Sequence, residues 1–410
     1  MEGNHPFGKG AGAGFRVWKI RVNKDNREIL KKVFRDVTSK KAKTKGFLRY
    51  IEEWENTLKE VLEARARARK RTPPLPPPVF LLVRFVVADG KERGNKNAPC
   101  IIDLKRGELR IPSYGIRLKL RASLVKALAE ENELTPRPDF VLQLTARGKL
   151  RIIAKRALPP PELRAPLRVI AVDENSRYGF AIAAFDFEDR GCKLAYFEKL
   201  RPESHGYKRQ LAAALQSFAS APSGDRRTRL SQLLGQELAN GLTPERAREL
   251  AALARRKERR LNDAFVRRVT AVVRRLVREA AKEGRAAVIL VDPIDYKSLE
   301  GTGLQGTLLR ARRALENLAR YEGAFFVEAR ASGRQCPHCG SWGTEVRRTA
   351  RARVYKCWRC GAVWDRDKGA LCNLAAAYFE KLRKHGNGTA ERALASLKQW
   401  LKRHPRALEY

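Results

Sequence analysis

The sequence predicts a multidomain chain of mixed α/β and β-barrel parts: a small β-barrel carrying a helical insertion, then an α/β domain interrupted by a metal ribbon. Three observations support this. Two proline-rich runs, Thr72–Pro78 and Pro159–Pro166, break the chain into segments. Short strand-like runs dominate the segment between them, and strand–helix–strand alternation follows the second run. Two C-x-x-C pairs then fall together in the last quarter of the chain.

Residues 1–14 are Gly-rich, lack the apolar core of a signal peptide, and read as disordered. Phe15–Val22 alternates apolar and basic residues, as a half-buried strand does. Helical patterns at 27–37 and 45–69 form the insertion, about 24–72. Strands are expected at 79–87, 99–103, 108–112, 116–120, 139–145 and 150–156, with a short helix near 123–130. The last two strands flank Ala146–Lys149 and read as a hairpin, so the barrel spans 15–158.

After the second proline run, Leu167–Asp173 reads as a buried strand, Gly179–Phe187 as a second and Lys193–Phe197 as a third. A long helical region, 206–283, follows. Within it Leu261, Phe265, Val269, Val272, Leu276 and Ala280 form an amphipathic stripe, while Arg256, Arg260, Arg267, Arg274 and Arg278 lie on other faces. Those arginines are either solvated or one wall of a nucleic-acid groove. Arg285–Asp292 is another buried strand ending in an acid. Helix 306–321, strand 323–328, the cysteine segment 334–364, helix 367–384 and a basic tail 385–410, with a Gly-Asn-Gly break at 386–388 and a terminal helix of about 390–403, complete the chain.

Lys and Arg total 86 against 45 Asp and Glu, a net charge of +41. An excess on that scale marks a polyanion partner, nucleic acid first. No apolar run approaches the ~18 to 20 residues of a membrane span. Cys336, Cys339, Cys357 and Cys360 sit in two-residue knuckles with seventeen residues between the pairs, the spacing of a zinc ribbon. Four thiolates close a tetrahedral ion, so this zinc is expected to be structural. His338 is a spare candidate ligand that reads rather as a surface residue, Trp358 and Trp364 read as ribbon core, and Cys100, Cys192 and Cys372 as ordinary buried cysteines. The cysteine usage suits a reducing compartment, with the cytoplasm as the expected location.

Three acids stand out. Asp173 and Asp292 each end an apolar strand, and Asp367 begins a helix beside the ribbon. Singly, each reads as a turn former or a cap. Together they match an RNase H-like arrangement, in which acids from a first strand, a central strand and a late helix converge. Three such carboxylates can hold two Mg²⁺ ions about 4 Å apart for in-line attack on a phosphodiester.

The segments V-I-A-V-D, A-V-I-L-V-D, the four-cysteine ribbon and D-R-D-K-G-A-L-C-N (365–373) resemble the split RuvC nuclease of the TnpB family, RNA-guided DNA endonucleases related to compact type V CRISPR effectors. The resemblance implies a RuvC domain from 167–333 and 365–384, a ribbon at 334–364, and guide RNA and target DNA as partners. It carries Asp173 and Asp367 over as metal ligands and gives Arg366, within D-R-D, a role in placing the helix or the substrate. Three positions depart from the family: Asp292, followed by Pro293, stands where Glu is usual, Gly369 where Asn is usual, and Leu371 where a small Ala is usual. The implied activity is Mg²⁺-dependent, RNA-guided DNA cleavage. The alternatives are an RNA-guided binding protein with weakened or lost cleavage and a guide-free zinc-ribbon nucleic-acid-binding protein.

Overall fold

The computed structural model describes residues 12–39, 78–94, 96–159, 161–175, 179–188, 191–202, 207–220, 224–294, 305–349 and 352–409. Two compact units divide the chain near Leu158.

The first unit is built on an eight-stranded sheet in the order β1-β8-β7-β2-β4-β5-β6, with β3 also on β2. Its strands are β1 (Gly12–Lys19), β2 (Val79–Val86), β3 (Glu92–Gly94), β4 (Cys100–Asp103), β5 (Glu108–Ile111), β6 (Ile116–Lys119), β7 (Asp139–Leu144) and β8 (Leu150–Leu158). Helices α1 (Lys24–Thr38) and α2 (Ala122–Asn132) complete it. The strand path runs from β1 to β6 without closing among the described residues, so the expected barrel is here an open sheet. β2 changes partner halfway: Val79–Leu82 pair with β7 and Val83–Val86 with β4. Strand β1 begins at Gly12, which takes 12–14 out of the expected disordered terminus. The helical expectation at 45–69 lies outside the described residues.

The second unit centres on a five-stranded sheet in the order β11-β10-β9-β12-β13. These strands are β9 (Leu167–Asn175), β10 (Gly179–Glu188), β11 (Gly191–Leu200), β12 (Ala286–Asp292) and β13 (Phe325–Glu328). The first three form an antiparallel meander, and β12 joins β9 in parallel. Both faces are covered, which is why β9, β10 and β12 read as unbroken apolar runs rather than alternating ones. On one face Ile170, Val172, Ile289 and Val291 pack under α6 (Pro244–Lys282) and α7 (Gln305–Glu322). On the other, Val169, Ala171, Val288 and Leu290 pack under α8 (Arg366–Arg383) and α9 (Gly388–Arg403).

Helix α6 runs 39 residues, about 58 Å at 1.5 Å per residue, and serves two cores. Thr243 caps it, and Pro244 fits its first turn because no N–H is needed there. Ala247 and Ala251 pack with α3 (Tyr207–Ser220), α4 (Gly224–Leu234) and α5 (Gln236–Asn240), whereas Phe265 to Ala280 lie on the sheet. Of the expected stripe, Leu261 and Val272 are only half-buried, and Val273 and Val277 take the deeper positions.

The C-terminal segment, expected as a basic tail with a helix at about 390–403, forms that helix and is also part of the core. Leu394, Leu397, Trp400, Leu401 and Leu408 are buried against the sheet, since α9 carries apolar residues at three- and four-residue steps.

Candidate metal centres and acid site

The ribbon forms from three strands, β14 (Gly343–Arg348), β15 (Arg353–Cys357) and β16 (Val363–Asp365). Each knuckle closes with a backbone hydrogen bond into a positive-φ glycine: Gly340 N–H donates to Cys336 C=O, and Gly361 N–H to Cys357 C=O. The four Sγ atoms all lie within 4.8 Å of one another, with 3.6 Å between Cys336 and Cys360 and 3.5 Å between Cys339 and Cys357. Tetrahedral zinc at ~2.3 Å from each sulfur implies S···S separations of roughly 3.8 Å, so the quartet fits zinc. The set is complete without His338. That residue is half-buried rather than on the surface, its Nε2 has no hydrogen-bond partner among the described residues, and burial lowers its pKa.

The two ribbon tryptophans part company. Trp364 is wholly buried and donates its indole N–H to Gly333 C=O at 3.0 Å. Trp358 is 73% exposed, against expectation, because it sits at the tip of a knuckle whose backbone is turned inward toward the sulfurs. Cys100 and Cys372 are buried as expected, and Cys192 is half-buried.

Strand β16 runs directly into α8, and Asp365 is both its last residue and the helix N-cap. Its Oδ1 accepts from the N–H groups of Asp367 at 2.9 Å and Lys368 at 3.1 Å. Asp367 therefore sits in the first turn, over the sheet, where a carboxylate also suits the helix dipole.

The sheet supplies the other acids. In the parallel pairing of β9 with β12, Asp173 lies directly opposite Asp292. Both belong to the face that α8 covers, as Val169 with Ala171 and Val288 with Leu290 establish two and four residues earlier. The row continues sideways: Asp173 pairs with Ala181 on β10, and Ala181 with Lys199 on β11. Strand β9 runs two residues past Asp173, so this acid lies within the strand instead of ending it.

Lys199 holds the helix end. Its Nζ lies 2.9 and 3.1 Å from the two oxygens of Asp365 and 2.8 Å from Asp367 Oδ2. Arg366 Nη1 lies 3.3 Å from Asp367 Oδ1. Burial pulls the Lys199 pKa down, but the Asp367 and Asp365 carboxylates outweigh it and leave the group raised. Asp292 Oδ2 accepts from Ala331 N–H at 3.1 Å. Burial raises the pKa of Asp292, partly countered by that bond.

Asp173 is buried. Its Oδ2 is buried with no hydrogen-bond partner among the described residues. Burial, opposed by Arg366 and reinforced by Asp367 and Asp292, pushes its pKa up to about 7. It lines a cavity of about 580 Å³ together with Glu174, Asp292, Arg330, Arg334, Arg353 and Arg366. Asp367 is not in that lining. An orphaned hard oxygen beside a second carboxylate fits a divalent ion such as Mg²⁺. Among the described residues, however, only the cysteine quartet gathers its ligand atoms within 4.8 Å; the aspartates do not close to that distance.

Sequence reasoning missed Lys199 and Glu174. The second follows Asp173 directly, is buried, and accepts from Ile294 N–H at 3.2 Å. The five arginines of α6 divide. Arg256, Arg260 and Arg267 are exposed. Arg274 and Arg278 instead pair with the buried Glu322 on α7 at 3.2 and 2.9 Å, tying two helices together.

Residues 310–374 match the model of the Cas12f1-like TNB domain, a stretch that holds the ribbon, Asp365 and Asp367. A search of curated proteins gave no match. Among solved structures, the mini-RNA-guided endonuclease CRISPR-Cas_phi3 is similar at 14% identity and a TM-score of 0.34, over 58% of this chain and 52% of that one. The Cas12f1–sgRNA–target DNA complex is similar at 11% identity and a TM-score of 0.39, over 86% and 80%. CasPhi-2 (Cas12j) bound to crRNA and phosphorothioate DNA gives 12%, 0.33, 66% and 57%. The chain spans about half the length of the first of these structures. No helix among the described residues is long and apolar enough to cross a membrane.

Proposed function

We propose that this chain is an RNA-guided, Mg²⁺-dependent DNA endonuclease of the RuvC type. The observation that carries the reading is the juxtaposition of Asp173 and Asp292 on adjacent parallel strands, under a helix whose first turn bears Asp367. The strand order, with an antiparallel meander joined in parallel by β12 and β13, is that of an RNase H-like sheet and supports it. So do the Cas12f1-like domain over 310–374 and the +41 charge.

Asp173, Asp292 and Asp367 would hold the magnesium. When bound, it supplies charge neutralisation at the phosphodiester and lowers the pKa of water. The chain's own residues do the rest. Arg330, Arg334, Arg353 and Arg366 line the cavity beside the acids and draw a phosphate backbone toward them. The buried Arg274–Glu322–Arg278 set fixes α6 against α7, leaving Arg256, Arg260 and Arg267 outward for backbone contact. Guide pairing supplies sequence choice, and the protein reads backbone and shape.

The test is cleavage of guide-matched DNA by the chain purified with its RNA. Asp173→Ala and Asp367→Ala are expected to lose cutting by ~10² or more, the scale of removing charge stabilisation at the reacting centre, while still holding RNA. Undiminished cutting by either variant would end the assignment. A second reading, a guided binding protein with a weakened centre, is favoured by Asp292, one methylene shorter than Glu and held by Ala331 N–H. Cutting that appears only in Asp292→Glu would select it. A purified chain without discrete RNA would point to a guide-free ribbon protein.

A further inference from the structure

We infer that Lys199 is a built-in counter-cation of the acid site, and that a divalent metal loads there only by taking Asp367 away from it. The inference rests on the carboxylate-site reading above.

Three features of the structure carry it. First, Lys199 stands in the same cross-sheet row as the acids, two strands from Asp173, with only the small Ala181 between them. Second, both oxygens of Asp367 are already engaged by cations, Oδ2 by Lys199 at 2.8 Å and Oδ1 by Arg366 at 3.3 Å. The Lys199 side chain is 15% exposed and that of Asp367 2%, so little water weakens the contact. Third, among the described residues the three aspartates do not bring an oxygen each within 4.8 Å of one another, and each of the two outer ones has an identifiable holder: Ala331 N–H on Asp292 and Lys199 on Asp367.

The two contacts of Lys199 differ in kind. Asp365 is fixed: its Oδ1 caps α8, its N–H donates to Leu408 C=O at 2.8 Å, and it cannot leave without uncapping the helix. Asp367 is not the N-cap of α8, and its carboxylate is the exchangeable partner. Lys199 can therefore give up Asp367 and stay tethered to Asp365. Lys368 does not substitute for it, because its Nζ is directed to Glu409 C=O at 2.6 Å. The arrangement keeps the two buried carboxylates of the helix end neutralised before metal arrives, and it makes metal binding a competition. Two cations facing one carboxylate repel strongly at this range.

Lys199 is a positioning residue, and the readout is metal affinity rather than cleavage. Mn²⁺ binding is titrated into the full RNA-loaded chain by calorimetry and by paramagnetic resonance of free Mn²⁺. Wild type, Lys199→Gln, Lys199→Arg and Asp173→Asn are compared. Lys199→Gln keeps a polar side chain of similar length and removes the charge. It is expected to bind Mn²⁺ roughly tenfold tighter than wild type or more, since the like-charge penalty is gone. Lys199→Arg should stay within about threefold of wild type, as the charge is kept. Mn²⁺ should also raise the melting temperature of Lys199→Gln by more than it raises that of wild type.

If Lys199→Gln binds Mn²⁺ as wild type does, or more weakly, while Asp173→Asn loses the site, the counter-cation role is wrong and the acid site stands. If Asp173→Asn binds Mn²⁺ as wild type does, the acid site itself is not where metal goes, and the proposal falls with it. A Lys199→Gln chain that is unstable alone but restored by Mn²⁺ supports the proposal. One that stays unstable in saturating Mn²⁺, when Lys199→Arg is stable, overturns it, because a bound metal should replace the missing charge.

Discussion

Asp173 is buried beside two other carboxylates, and burial above all lifts its pKa from an ordinary 3.8 to about 7. An acid raised on folding binds its proton more tightly in the folded chain than in the unfolded one. Its contribution is therefore fully present below about pH 4 and is given up as pH climbs through about 7. The span corresponds to about 4 kcal/mol at most. With no divalent metal at the acids, the melting temperature should fall between pH 5 and pH 8, and Asp173→Asn should flatten this part of the profile. An identical slope in the variant would remove Asp173 as the cause. Two of the acids were legible as residues because each closes an apolar run, and the third because it stands beside the ribbon. Lys199 was not, because it is one of 86 basic residues and only the pairing of β11 with β10 brings it into the row. Register across an antiparallel meander is not written in local periodicity.

At the scale of elements, the hinge of the design is the passage from β16 into α8. Trp364 lies between two glycines there. A Cβ at Gly343 would sit 2.3 Å from its Cη2, and one at Gly369 2.4 Å from its Cδ1. The departure at Gly369 thus has a packing cause: the indole occupies the space that any larger residue would need. Gly369→Asn is expected to destabilise the chain by about 1–3 kcal/mol, the usual cost of overpacking. Thermal melts check this, and an unchanged midpoint would contradict it. The boundaries of most strands and helices were readable to within two or three residues, since apolar runs and caps mark them. The terminal helix α9 was legible at about 390–403, but not its burial, because its many basic residues drew attention from Leu394, Leu397, Trp400 and Leu401, which share one face. Trp358 failed for the opposite reason, its apolar character suggesting burial where knuckle geometry turns it outward.

Across the molecule, the second unit uses one sheet twice. Its α6–α7 face is a plain structural core, closed by Arg274 and Arg278 on Glu322. Its α8–α9 face joins the sheet to the ribbon through Trp364, Tyr355, Cys336 and Cys357, all in the same buried cluster. A structural zinc there would therefore stabilise the platform from which Asp367 is presented, while the hard-oxygen chemistry stays with the aspartates. The ribbon and the boundary at the second proline run followed from sequence. The non-closing first sheet did not, because closure depends on strand tilt and stagger rather than on pattern. The central claim is that Asp173 and Asp292 form one divalent-metal site. Anomalous diffraction from crystals soaked in Mn²⁺ tests it most directly. The account predicts a manganese peak at bonding distance from both carboxylates, absent from Asp173→Asn crystals. Manganese bound only elsewhere, or a peak that persists unchanged in the variant, would contradict it.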